Sequence, residues 1–201
     1  MIKSKIIFFG DSIIKFKNCE WPKKLINLIN NNFKDKFNYK TFSVVGLNSR
    51  TALEKLPKIL LREKNINMIL IQIGINDSWH YKSLKGIPNV SKESFKANLD
   101  EIYFKCKKFG VRKIFFLTYH RLAKNRFEIN KKNINQNLKM YINIIKKFRK
   151  NKNIQCIDIF SKTKKISSKK ICLPLPDGVH LNNFGTGIYS EIIYKYLKKL
   201  L

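Results

Sequence analysis

Acidic residues are what this sequence most lacks. Asp and Glu total 13 against 42 Lys plus Arg, a formal net charge of +29 on 201 residues. A field of that sign attracts polyanions, either nucleic acid or an anionic membrane surface. A/T-rich codon bias accounts for the joint abundance of Lys, Asn and Ile. The same bias permits Glu, so the shortage of acids stays unexplained. The lysines are spread over many helix faces and form no dedicated nucleic-acid motif. They read as solvated surface that modulates function, with weak contact to an anionic surface as the expected consequence.

Glycine and proline are scarce too, at 8 and 5. No repeat or low-complexity linker divides the chain, so residues 1–201 read as one domain. Cys19, Cys106, Cys156 and Cys172 show no C-x-x-C or metal-ligand spacing, which implies neither a disulfide framework nor a metal centre. Cys106 and Cys156 fall in apolar periodic segments, where buried thiols are common. No apolar run is long enough to span a bilayer, and Ile6–Phe9 is too short for a signal-peptide core. A soluble cytoplasmic protein is the expectation. What the chain does have is 44% hydrophobic residues, with 15 Phe and 8 Tyr. That excludes a disordered chain and suffices for a core without covalent staples.

Short apolar runs alternate with amphipathic segments, the pattern of an α/β fold around a parallel sheet. Five strands are predicted: Lys5–Phe9, Thr41–Val45, Met68–Ile73, Lys113–Thr118 and Asn153–Ile159. Met68–Ile73 is near-continuously apolar, as suits a strand covered on both faces. Trp21-Pro22 opens a first helix with Leu25, Ile29 and Phe33 on one face. Thr51–Arg62 is helical through Leu53, Leu56 and Leu60, with Pro57 expected to kink or divide it. Ser91 caps a helix carrying Phe95, Leu99, Ile102, Cys106 and Phe109, which Gly110 stops. Asn130–Arg149 and Asn183–Leu200 complete the set, while Ser161–Lys170 reads as an exposed basic loop. The sum is a three-layer α/β/α sandwich.

In such sheets ligands bind beyond the carboxyl ends of the strands. Residues with chemical potential follow those ends: Gly10-Asp11-Ser12, Gly46–Thr51 and Gly74–Asp77, with Asp177–His180 before the last helix. A serine hydroxyl needs a base to take its proton, and the base needs a third group to fix its tautomer. Asp177 and His180 are three residues apart, so on one turn the carboxylate reaches Nδ1 and leaves Nε2 for Ser12. Pro174 and Pro176 restrict the approach to that turn. An oxyanion calls for backbone N–H groups and an amide side chain. The Ser12 N–H and the Asn76 side chain are candidates.

These motifs resemble those of the SGNH (GDSL-like) hydrolase superfamily, in order and over nearly the whole chain. Gly10-Asp11-Ser12 matches its nucleophile block, Gly74-Ile75-Asn76-Asp77 its Gly-x-Asn-Asp block, and Asp177-Gly178-Val179-His180 its Asp-x-x-His block. Gly46-Leu47-Asn48-Ser49-Arg50-Thr51 is similar to Gly-Leu-Asn-Gly-Arg-Thr of arylesterase-like members, and an arylesterase- or lysophospholipase-like enzyme is the subtype suspected. The resemblance implies a flavodoxin-like sheet of order 2-1-3-4-5 and an acyl-serine mechanism without metal or organic cofactor. Ser12 would be nucleophile, His180 base then acid, and Asp177 its orienting group. Ser12 and Ser49 N–H groups and Asn76 would form the oxyanion hole. Ser49 stands where the family's second donor glycine aligns, and Gly46 is kept as the alternative. Ile13-Ile14 also departs from the family's usual Leu followed by a small or polar residue.

Each residue has a plainer reading. Ser12 caps a helix, His180 packs in a loop, and Asn76-Asp77 make a turn. Asp11 reads as structural. Trp79 and His80 either line the substrate pocket or cover the core. His120-Arg121 follows the fourth strand at the same rim, where Arg121 receives an anionic substrate group or is ordinary solvated loop. The leading function is hydrolysis of a carboxylic ester: a small acyl ester, an acetylated sugar or a lysophospholipid. The alternatives are a non-catalytic polyanion- or surface-binding module on this fold, or an acyltransferase using the same triad.

Overall fold

Apolar side chains at alternating positions of each central strand face opposite ways, so the sheet must be covered twice. The computed structural model describes residues 3–34, 36–80, 87–123, 133–151 and 155–201, and in them the sheet is covered twice. Five parallel strands lie in the order β4-β1-β5-β6-β7: β1 (Ser4–Gly10), β4 (Phe37–Ser43), β5 (Ile66–Gln72), β6 (Lys113–Leu117) and β7 (Gln155–Ile157). In chain order of the sheet strands this is the flavodoxin-like 2-1-3-4-5. A small antiparallel hairpin, β2 (Lys15–Phe16) with β3 (Cys19–Glu20), stands apart.

Ile6, Phe8, Met68, Leu70, Phe115 and Leu117 face α1 (Trp21–Asn32) and α7 (Asn183–Leu197), which contribute Leu25, Ile29, Tyr189, Ile193 and Leu197. Ile7, Phe9, Ile69, Ile71 and Phe116 face the other way. They meet Leu56 and Leu60 of α2 (Ser49–Arg62), Phe95, Leu99 and Ile102 of α3 (Lys92–Lys108), and Tyr141 and Ile145 of α4 (Ile134–Asn151). Two short helices, α5 (Ile159–Thr163) and α6 (Ser168–Ile171), precede α7. Among the described residues no helix is long and apolar enough to cross a membrane.

Several expected boundaries move, each for a local reason. The second sheet strand begins at Phe37, not Thr41, and ends at Ser43. As an edge strand it is only partly covered, so its apolar signal is dilute. Pro57 does not divide α2, which runs unbroken from Ser49. Asn48 caps it, accepting from Thr51 N–H while Thr51 Oγ1 accepts from Asn48 N–H. Packing of Ala52, Leu56 and Leu60 outweighs the one ladder bond that proline lacks. The last strand stops at Ile157, because Asp158 caps α5 through Ser161 N–H. The expected starts at Asn153 and, for α4, at Asn130 lie outside the described residues. Ser161–Lys170 is not a loop throughout; it holds the end of α5 and the start of α6, with Thr163 buried.

Candidate active site

The carboxyl ends of β1, β4 and β5 deliver three turns to one edge. At the first, the β1 backbone approaches β5 so closely that a Cβ on Gly10 would lie 2.2 Å from the Gln72 carbonyl oxygen, so only glycine fits. Asp11 follows, fully buried, and folds back on the turn. Its Oδ1 accepts the Ile13 N–H at 2.9 Å and its Oδ2 accepts the Tyr119 hydroxyl at 2.5 Å. Burial pushes the Asp11 carboxyl up to about 7, against the pull of these two bonds. Ser12 is held between these anchors, 8% exposed at the floor of a cleft.

His180 arrives from the far end of the chain, with its Nε2 2.9 Å from Ser12 Oγ. Its Nδ1 lies 2.8 Å from Asp177 Oδ2, while Asp177 Oδ1 accepts the N–H groups of Val179 at 2.9 Å and His180 at 2.8 Å. Partial burial opposes ionisation of Asp177, but these donors prevail and hold its carboxyl below the ordinary range. The loop is tied down on both sides. Leu173 N–H donates to His180 O at 2.7 Å, and Ala123 N–H to Gly178 O at 2.8 Å. Ser12, His180 and Asp177, expected together, are within hydrogen-bond reach in that order.

The ring of Phe16 lies flat on the His180 imidazole, with centroids 3.6 Å apart and planes 8° from parallel. The β2–β3 hairpin that carries it went unread in the sequence, although Asn18 at a tight two-residue turn is a hairpin signal. Tyr119, Tyr189 and Asn98 also went unread. Tyr119 had only its position just past β6 to mark it.

The remaining expected site residues separate. Asn76 lines the cleft with Ser12 and Gly46, and its Nδ2 donates to Leu47 O at 3.0 Å, leaving the second hydrogen of the amide. Ser49 is a correction: its N–H is taken by Asp77 Oδ1 at 2.9 Å, its hydroxyl donates to the same oxygen at 2.5 Å, and it is fully buried. Asn98 Nδ2 completes the network on Ser49 Oγ at 2.7 Å. Burial pushes Asp77 up to about 6, although both Ser49 bonds favour its charged form. Gly46, with a positive φ of 73°, sits on the cleft wall. Its N–H has no hydrogen-bond partner among the described residues.

Trp79 is on the wall; His80 is not, and pairs with Pro88 beside it. His120 is a second correction. It is fully buried beneath the loop that carries Asp177 and His180, with Nδ1 2.6 Å from the Tyr189 hydroxyl and Nε2 3.0 Å from Val179 O. Burial pushes its pKa down to about 4, so at neutral pH its Nε2–H donates to that carbonyl and supports the loop. Arg121 is a third: it lines a separate cavity with Lys139, Phe160 and Lys164. The cleft itself is about 350 Å³, walled by Ile13, Val45, Ile75, Trp79 and Val179. Among the described residues no three or more His, Cys, Asp or Glu side chains cluster as metal ligands.

Residues 6–192 match the family described as GDSL-like lipase/acylhydrolase. The chain belongs to that family. This GDSL-like protein is therefore a carboxylic-ester hydrolase. Among curated proteins no sequence matches it. Its fold is shared by solved structures of low identity. A catalytic mutant of Axe2, an acetylxylan esterase from Geobacillus stearothermophilus, is 17% identical at a TM-score of 0.77, over 99% of this chain and 95% of that one. A lipase/acylhydrolase from Enterococcus faecalis is 19% identical at 0.77, over 98% and 97%. The acetyl xylan esterase AlAXEase is 20% identical at 0.78, over 96% and 99%.

Proposed function

We propose that this hydrolase cleaves esters of small acyl groups through an acyl-serine intermediate. Ser12 Oγ attacks the ester carbonyl carbon as His180 Nε2 takes its proton. The imidazolium then protonates the departing alcohol, and a water activated by the same nitrogen releases the acid. Asp177 orients the ring and stabilises its charged form. The N–H groups of Ser12 and Gly46 and the Asn76 amide face the developing oxyanion. The observation that carries this reading is the 2.9 Å approach of His180 Nε2 to Ser12 Oγ, continued at 2.8 Å to Asp177. The modest cleft with apolar walls, and the acetylated substrates named for two of the structural neighbours, favour a short acyl chain.

Hydrolysis of p-nitrophenyl acetate, butyrate and octanoate tests it. The rate should fall with chain length, and Ser12→Ala should lower kcat by roughly 10⁴-fold or more. Turnover by Ser12→Ala at the wild-type rate would remove Ser12 as nucleophile.

A further inference from the structure

Among the described residues, the three most exposed large apolar side chains are Val45, Leu175 and Ile87, at 77%, 65% and 60% of full exposure. They come from three different segments, each of which carries residues that line the cleft or pair beside it. Val45 is part of its wall. Leu175 stands two residues before Asp177. Ile87 leads into the stretch where Pro88 bridges His80 and Asn89 N–H donates to the carbonyl of Trp79, a wall residue, at 2.9 Å. Apolar residues scattered singly over a surface need no explanation, but three on segments that converge on one cleft do.

The opening is also cationic. Lys17 is exposed, with its Nζ 5.7 Å from the centroid of the Phe16 ring that stacks on His180. Lys15 shares that hairpin, and exposed Arg50 stands in the first turn of α2, four residues past the wall residue Gly46. The nearby carboxylates are already committed. Asp11 and Asp77 are buried, Asp177 is bonded to His180, and Glu20 pairs with Lys15 at 3.3 Å. A second copy of the chain would bring another +29 body and the same cations to this face, which disfavours self-association.

We propose that the mouth of the cleft docks on an anionic lipid surface, and that the ester hydrolysed is one presented there. Val45, Leu175 and Ile87 enter the boundary between headgroups and acyl chains while Lys17 and Arg50 meet the phosphates. A small acyl group enters the cleft, and the rest of the amphiphile stays in the lipid. The substrate half of this proposal rests on the esterase reading above; the docking half does not need catalysis.

Cosedimentation with vesicles of phosphatidylcholine, with and without phosphatidylglycerol, tests the docking at low and high salt. The double variant Leu175→Glu/Ile87→Glu is compared with wild type, since neither side chain is on the cleft wall. Wild type should bind the anionic vesicles and release in high salt. The double variant should bind them roughly 10-fold more weakly or worse, yet hydrolyse soluble p-nitrophenyl acetate at the wild-type rate. Absence of binding to anionic vesicles overturns the proposal. So does equal binding by the double variant, or self-association that this variant abolishes. Ser12→Ala should bind vesicles like wild type. Vesicle binding without soluble-ester hydrolysis by wild type would count against the esterase reading alone.

Discussion

Ser12 and His180 meet at 2.9 Å because each is held from behind by groups outside the cleft. Asp11 and Tyr119 fix the turn that carries Ser12, and Phe16 lies against the imidazole face. Stacked aromatic pairs contribute about 0.5–1.5 kcal/mol beyond their burial. If that energy holds the ring in its productive pose, Phe16→Ala should lower kcat/KM for a soluble ester by about 2- to 12-fold. An unchanged value would leave Phe16 a mere cover. Ser49 makes a different kind of contribution, since its hydroxyl joins Asp77 to Asn98 in a buried network. Ser49→Ala keeps the backbone but leaves the Asn98 amide and an Asp77 oxygen short of a partner. Chemical denaturation should show a loss of about 1–3 kcal/mol, with the esterase rate far less affected.

Elements differ in how plainly their sequences announce them. β1 and β5 are near-continuous apolar runs, which only a doubly covered strand requires, and both were readable. The edge strand β4 and the two-residue strands of the hairpin lack that pressure, so β4 was displaced and the hairpin overlooked. The meeting of Ser12, Asp177 and His180 was legible because residue type and order point to it. Ser49 was misassigned because Ser or Gly at that place looks like an exposed donor until Asp77 is seen to take its N–H. His120 and Arg121 share a strand end, yet burial draws one under the loop while the other stays outside it. The approach of α7 to α6 was invisible for a similar reason, being a matter of backbone distance. A Cβ on Gly185 would lie 2.2 Å from the Ile171 carbonyl oxygen. Gly185→Ala should therefore cost about 1–3 kcal/mol of stability, measured by thermal melting. It should also lower activity by shifting the helix that follows His180; a variant with wild-type melting would show that α7 yields freely.

The molecule as a whole responds to acid through groups buried with the wrong charge preference. Asp11 and Asp77, pushed up to about 7 and about 6, keep protons that unfolded carboxyls release near pH ~4. His120, pushed down to about 4, lacks a proton that an unfolded imidazole keeps to about pH 6.5. Between about pH 4.5 and 6 the folded chain therefore binds about one proton more than the unfolded chain, and stability should fall as pH rises. Glu63, Asp158 and Asp177, held low, act the other way, but only at more acidic pH. Asp11→Asn removes one retained proton and should flatten the slope of melting temperature against pH in that window; an unchanged slope would show that Asp11 is ionised throughout it. The fold's chief consequence remains the junction of two chain segments 168 residues apart in one hydrogen-bonded contact between Ser12 and His180. Intact-mass spectrometry of enzyme quenched in acid during the first turnover of p-nitrophenyl acetate tests that junction most directly. The expected result is protein carrying one acetyl group, mapped to the peptide containing Ser12 and absent from Ser12→Ala and His180→Ala. Steady turnover with no such adduct, or an adduct on another residue, would contradict it.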